Sequence, residues 1–226
     1  AKGVTVSCNQ MLDHIERAED GRLTAVMQGG GRFTADTVAV CIGVRTNTGF
    51  LKDSGLEMGR GVRVDGHMRT NYPGIYAAGD CCEAVDIQSG THRNIGVWLN
   101  AQQQGRVAGA NLAGGDETFE ANVLVNLAHY LDYDFMCIGD VSACQPTDEV
   151  YEYEDGRYYI RAVRRGRAIQ CINIIGSADS NGLIKNAFIK SIENPEAELD
   201  IKTVCFLQEK GFPEPFIKFL GGKTLD

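Results

Sequence analysis

Over the first 45 residues, short apolar stretches alternate with polar positions and are broken by glycines. Val4-Thr5-Val6-Ser7-Cys8 alternates, Gly21 interrupts, residues 23–27 extend and Gly29-Gly30-Gly31 marks a turn, a pattern that predicts a strand meander. Residues 32–36 lead into Thr37-Val38-Ala39-Val40-Cys41-Ile42-Gly43, an apolar run without alternation, which predicts a strand covered on both faces. A short polar strand is expected around Val62 and Val64. A second apolar run, Gly74-Ile75-Tyr76-Ala77-Ala78-Gly79-Asp80, reads as a strand ending in Gly-Asp. Residues 98–113, rich in Ala and Gln and closed by Gly114-Gly115, predict a helix, and Asn100 with Gln103 has the spacing of a capping box.

Residues 114–117 read as a linker, and from about residue 120 the pattern changes. Residues 123–131 carry a helical period, followed by strand signals at 135–141, 150–153, 158–163 and 168–175. Asp155-Gly156 and Arg165-Gly166 between them are hairpin dipeptides, so these strands are expected to pair antiparallel. Helical patterns at 181–191, 197–210 and 213–220 close the chain. There is no internal repeat and no low-complexity tract. Two modules are expected, 1–118 and 119–226.

Composition narrows the function class. The 226 residues carry 22 Lys plus Arg against 30 Asp plus Glu, and 43% are hydrophobic. That excludes global disorder, and a net charge of −8 makes nucleic acid and anionic membrane surfaces poor partners. No apolar stretch is long enough for a transmembrane helix. The cysteines are Cys8, Cys41, Cys81, Cys82, Cys137, Cys144, Cys171 and Cys205, with no CxxC and no zinc-ligand spacing. The opening AKGVTVSCNQ has neither a charged n-region nor an apolar h-region, so a reducing cytoplasm is expected. Cys41, Cys137, Cys171 and Cys205 stand in apolar runs, where a thiol packs as a small hydrophobe.

The chemistry-bearing segment is 74–114. A strand ending in Gly79-Asp80 presents a carboxylate at the carboxyl edge of a sheet, where ligands of open α/β sheets bind. Gly79 admits close approach of a ligand to the backbone, and Asp80 accepts hydrogen bonds from hydroxyls. The helix that follows points free N–H groups and its positive end at whatever lies there. Taken alone, the segment fits a plain turn equally well. Elsewhere the structural reading is preferred. Adjacent Cys81 and Cys82 pair only through a strained ring, Cys137, Cys144 and His129 read as structural, and Tyr158-Tyr159 read as packing residues. The basic run 161–167 reads as a solvated face, with docking of an acidic partner as the alternative.

Order and spacing add a resemblance. The strings Thr37-Val-Ala-Val-Cys-Ile-Gly-Val-Arg-Thr-Asn-Thr48, Val64-Asp-Gly-His-Met-Arg-Thr70 and Tyr72-Pro-Gly-Ile-Tyr-Ala-Ala-Gly-Asp80 come in that order, followed by Ala101-Gln-Gln-Gln-Gly-Arg106. Together they resemble the flavin-dependent pyridine nucleotide-disulphide oxidoreductases, in the branch of NADH oxidases, rubredoxin reductases, coenzyme A-disulphide reductases and nitrite reductases. Residues 120–192 resemble that family's interface domain more loosely.

The resemblance implies an α/β plus α+β fold: a partial FAD/NAD-binding region followed by an antiparallel-sheet-and-helix interface domain that forms a homodimer. It implies FAD and NAD(P)H as cofactors. Gly79 and Asp80 would hold the flavin ribityl chain, with the helix start at Val97, Trp98 and Leu99 against the pyrimidine edge of the flavin. Gly43 would lie beside the nicotinamide. A helix N-terminus at the pyrimidine edge would stabilise the negative charge of reduced flavin. Electrons would pass from nicotinamide through flavin to a disulphide, oxygen or a redox protein.

The chain departs from the family pattern in several places. Neither Gly-rich GxGxxG fingerprint is present, since Gly29-Gly30-Gly31 and Gly59-Arg60-Gly61 fail the spacing. Arg45-Thr46-Asn47 replaces the usual Arg-Pro-Asn, and the His-Pro…Glu relay of the glutathione and lipoamide branches is missing. The expectation is the carboxyl-terminal part of a longer flavoenzyme, inactive by itself. The alternative is a non-catalytic dimerisation or assembly module built on residues 120–226.

Overall fold

The computed structural model describes residues 3–223, which fall into two units divided between Arg45 and Thr46. In the first unit, β1 (Leu12–Arg17), β2 (Leu23–Met27) and β3 (Arg32–Ala35) form an antiparallel meander in that order. Gly30, at φ +85°, closes the turn after β2 by donating its N–H to Met27 O at 2.8 Å. Two expectations fail here. Residues 4–8 form no strand, because the meander begins at Leu12. The run 37–43 is not a strand either: Ile42 is 85% exposed and Val44 91%. A doubly covered strand needs a neighbour to pair with on each side and layers above and below, and none of the described residues pairs with this run. Cys41, expected in a core, is exposed with it.

The second unit opens with β4 (Val62–Arg63), β5 (Cys82–Val85) and β6 (His92–Arg93), β5 lying between the other two, parallel to β4 and antiparallel to β6. Residues 74–80 were expected as a strand, but they run extended with a single bridge, Arg69 to Tyr76, and enter a three-residue helical turn, Gly79–Cys81. The strand follows the Gly-Asp pair instead of preceding it. Helix α1 (Trp98–Leu112) matches its expected span. It ends on Gly114 at φ +89°, with Gly115 N–H donating to Ala110 O at 2.9 Å and Gly114 N–H to Asn111 O at 3.1 Å. This pair of bonds satisfies the last carbonyls and requires a left-handed residue, which glycine supplies without steric cost. Val107 and Ala108 of α1 pack into a small core with Val64, Met68, Cys82, Ala84 and Phe119.

The remainder is a five-stranded antiparallel sheet with three helices. Its strands are β7 (Val125–Tyr130), β8 (Tyr133–Gly139), β9 (Glu149–Glu154), β10 (Tyr159–Arg165) and β11 (Ala168–Gly176), in the order β7-β8-β11-β10-β9. The helices are α2 (Asn181–Glu193), α3 (Ile201–Glu209) and α4 (Glu214–Phe219). The expected helix at 123–131 is edge strand β7, paired residue for residue with β8 from Val125–Ile138 to Tyr130–Tyr133. A ladder along β8 satisfies its backbone groups and outweighs a weak local helical period. The β10–β11 turn places Gly166 at φ +59°, as a tight hairpin turn requires of its first loop residue.

The registers Ile172–Ile138 and Ile160–Ile174 put these isoleucines in the larger core, with Phe188 of α2, Leu207 of α3 and Phe216 of α4. Each such fully buried side chain contributes about 1.5–3 kcal/mol relative to exposure. Cys171 is buried as expected, Cys137 is half-buried, and Cys205 lies on the exposed side of α3, which corrects its placement in a core. The two core clusters meet the chain on either side of residues 120–122.

Candidate functional site

The site is built on the turn Gly79–Cys81 and the first turn of α1. Gly79 takes φ +78°, a left-handed conformation that turns the chain out of the extended segment and into the helical turn. A Cβ there would rest at an ordinary 3.5 Å from Ala101 Cβ, so the demand for glycine is conformational, not steric. Two polar side chains hold the turn. Gln104 Oε1 accepts the Gly79 N–H at 2.8 Å and the Cys82 thiol at 3.4 Å, and Asn94 Nδ2 donates to Asp80 O at 2.6 Å and Cys82 O at 2.9 Å. Glu83, almost fully buried, accepts N–H groups from Arg60 and Gly61 and so ties the loop after Met58 to β5. Gly59 and Gly61 are needed for this approach: a Cβ at Gly59 would fall 2.4 Å from Glu83 Oε2, and one at Gly61 2.6 Å from Cys81 O.

Held in this way, the Asp80 side chain is exposed and accepts no hydrogen bond from any described residue. It faces Gly96, where a Cβ would lie 3.3–3.5 Å from the carboxylate atoms. Helix α1 begins directly after, with Val97 at its boundary and no side-chain cap. Its first backbone bond is Ala101 N–H to Val97 O, so the N–H groups of Trp98, Leu99 and Asn100 have no intrahelical acceptor. An open carboxylate and a row of free N–H groups therefore lie together: acceptor on one side, donors and the positive helix end on the other.

The expected capping box is corrected by burial. Asn100 is 2% exposed and donates to Asn122 Oδ1 at 3.1 Å and Val123 O at 3.2 Å. Asn100, Gln104 and Asn111, spaced by four and then seven residues, form a buried amide face of α1 that docks the helix onto its surroundings. Asn111 alone makes three bonds, to His67 O and to both the N–H and the carbonyl of Glu117. In the sequence Gln104 stands only as one position of the string Ala101–Arg106, with no role attached, and Asn111 is not singled out, because the partners of a helical amide are not visible locally. Their spacing on one face was the available signal.

Of the residues singled out in the sequence, Gly79, Asp80, Trp98 and Leu99 come together in this corner. Trp98 is 76% exposed and Leu99 half-buried. Gly43, at φ +99° with open space at its α-carbon, belongs to the other unit. The thiol following the site is chemically quiet, since burial pushes Cys82 up to about 12. Tyr158 is a packing residue, stacked on Phe212 at 4.6 Å with its hydroxyl donating to Lys210 O. Three of the four arginines in the basic run are paired locally: Arg164 with Glu149, Arg165 with Asp148 and Arg167 with Glu196. His129, exposed on edge strand β7, bonds its cross-strand neighbour Asp134 of β8. No helix among the described residues is long and apolar enough to cross a membrane, and no described cluster has the makings of a metal site.

The chain is similar to known proteins over part of its length. The profile of the pyridine nucleotide-disulphide oxidoreductase family matches residues 1–105. An NADH oxidase of Methanocaldococcus jannaschii is 34% identical over 119 residues, 52% of this chain and 26% of that protein. The NADH-rubredoxin oxidoreductase of Clostridium acetobutylicum is 26% identical over 167 residues, 73% of this chain and 42% of that one. The crystal structure of an FAD-dependent pyridine nucleotide-disulphide oxidoreductase from Desulfovibrio vulgaris has the same fold, with a TM-score of 0.70 at 24% identity over 94% of this chain and 54% of that chain. The chain thus spans between a quarter and about half the length of these relatives. Over residues 1–105, therefore, the chain is similar to the pyridine nucleotide-disulphide oxidoreductase family.

Proposed function

We propose that this chain supplies the ribityl- and pyrimidine-facing part of the FAD site in an FAD-dependent NAD(P)H oxidoreductase. The observation that carries this reading is the open Asp80 carboxylate beside the uncapped N-terminus of α1. The donor set fits the cofactor. Asp80 accepts hydrogen bonds from sugar-alcohol hydroxyls, and the free N–H groups of Trp98, Leu99 and Asn100 donate to carbonyl oxygens. FAD, when bound, supplies a two-electron carrier between nicotinamide and a disulphide, oxygen or redox-protein acceptor. The chain's own share is positional and electrostatic: Gln104 and Asn94 keep Asp80 turned outward, and the start of α1 favours negative charge at the ring edge. Gly43 beside the nicotinamide is part of the same reading.

The chain lacks both phosphate-cradling glycine fingerprints, so it is expected neither to retain FAD through purification nor to oxidise NADH by itself. The test is titration of the 226-residue protein with FAD, followed through Trp98, its single tryptophan. Weak, saturable quenching that Asp80→Ala weakens at least tenfold supports the site, whereas quenching unaffected by Asp80→Ala refutes it. A yellow preparation that oxidises NADH refutes the inactivity of the isolated chain.

A homodimer through residues 119–226 is the second part of the proposal. Strand β7 is a sheet edge, and Leu127, Tyr130, Leu131 and Tyr133 stand exposed along it and its turn. That edge also supports the alternative of a non-catalytic assembly module, which predicts a dimer without any response to FAD. The eight free cysteines fit a reducing cytoplasm.

A further inference from the structure

We propose that Cys144 and Cys171 form an oxidisable pair, closed to a disulfide by a small-molecule disulfide such as oxidised glutathione, which staples the β8–β9 connection to the central strand of the five-stranded sheet. The inference stands apart from the flavin reading and arises from topology. Strand β8 lies second from one edge of the sheet and β9 forms the opposite edge, so residues 140–148 must cross over β11 and β10. The crossing is anchored at both ends. Asp140 pairs with Arg93 at 2.7 Å and its N–H donates to Gln88, whose amide in turn donates to Gln170 O of β11. Asp148 is held by Arg165 of β10 through two bonds, at 2.8 and 2.9 Å, and the same guanidinium donates to Ala143 O.

Between these anchors, Cys144 is placed directly over Cys171, with their Sγ atoms 3.5 Å apart. A disulfide needs about 2.05 Å. Cys144 lies in the irregular stretch after the turn Val141–Ala143, so it can close the difference without disturbing the β-ladder. The roles of the two thiols are set by access. Cys171 is buried and burial pushes it up to about 12, so it stays protonated, while half-buried Cys144 faces the reagent.

Chemically, the Cys144 thiolate attacks one sulfur of the reagent, forming a mixed disulfide and expelling one reagent thiolate. Cys171 then gives up its proton and attacks Cys144 Sγ, expelling the second. Two protein thiols are oxidised, one S–S bond is exchanged, and the reagent leaves as two thiols carrying the two protons. Cys137, on the same face of the sheet as Cys171 by register, is the competing partner that the geometry rejects, since no sulfur contact to it is formed.

The test is to treat the reduced 226-residue protein with oxidised glutathione, block the remaining thiols by alkylation and map the peptides without reduction. The expected result is a linked pair of peptides containing Cys144 and Cys171, lost in Cys144→Ser and retained in Cys137→Ser. Cys171→Ser should instead accumulate the mixed disulfide on Cys144. If that variant fails to fold, Cys144→Ser decides the matter, because its site lies in a half-exposed connection. A Cys137–Cys171 link, or glutathione remaining on Cys144 with Cys171 still alkylatable after unfolding, overturns the proposal.

Discussion

The sharpest test of the site is to remove the acceptor that holds the Gly79 amide. Gln104 is 3% exposed, and its Oε1 accepts the Gly79 N–H at 2.8 Å and, more weakly, the Cys82 thiol at 3.4 Å. Gln104→Leu keeps the volume and deletes the acceptor, whereas Gln104→Ala deletes both. Loss of a neutral hydrogen bond costs about 1 kcal/mol and an orphaned, partly buried donor about 1–3 kcal/mol. The thiol bond adds little. A cost of about 1–3 kcal/mol corresponds to opening of the Gly79 amide that is roughly 5- to 150-fold more frequent.

Amide hydrogen exchange measured at Gly79 reads this opening directly, and the Gly115 amide at the far end of α1, bonded to Ala110 O, serves as an internal reference. Both variants should accelerate Gly79 while leaving Gly115 within about twofold of wild type. If Gln104→Leu leaves Gly79 within the same margin, the side chain is not what holds the turn, and the positioning of Asp80 needs another cause. If both amides accelerate equally, the substitution has loosened α1 as a whole, and the local account fails.

Further outcomes follow from the same structure. Leu131 takes φ +56° in the β7–β8 turn and is 48% exposed; a left-handed non-glycine residue costs about 1–2 kcal/mol, partly offset in a glycine variant by backbone entropy. Leu131→Gly should therefore raise stability by about 0.5–1 kcal/mol in urea unfolding, and no gain refutes the strain. Gly114→Ala at φ +89° should lower stability by about 1 kcal/mol, seen as a downward shift in Tm. Iodoacetamide at pH 8 should label exposed Cys81 and spare Cys82, which burial pushes up to about 12; labelling of both refutes the burial of the second thiol. An unfolded thiol ionises near 8.5, so this site's contribution to stability is intact below about pH 8.5 and is lost as pH rises towards 12. Cys82→Ala should flatten that alkaline slope.

Much of the architecture was legible in the sequence because its signals are local. The hairpins of β9, β10 and β11 carry their own turn residues at 155–156 and 165–166, and the three closing helices carry their own apolar periods. Helix α1 was readable to within a residue at its end, since Gly114-Gly115 encodes the stop. The Gly79-Asp80 pair was visible as a motif, and its order among the neighbouring strings pointed to the family.

Where pairing at a distance decides the outcome, the local pattern misled. Residues 123–131 have a helical period but become β7, because β8 offers a ladder across a two-residue turn. The run 37–43 has a buried strand's composition but no neighbour, and Val40, Ile42 and Val44 remain exposed. Only the tertiary structure shows that α1 docks through Asn100, Gln104 and Asn111, because an amide's burial depends on which backbone groups arrive opposite it. Sequence by itself determined that a glycine and a carboxylate stand before a helix. Tertiary structure decided that the glycine is left-handed, that Gln104 holds it, and that the carboxylate is left open beside the bare start of α1. The physical reason is that hydrogen-bond satisfaction is a property of neighbours in space: two polar side chains identical on paper differ once one meets a backbone donor and the other meets none.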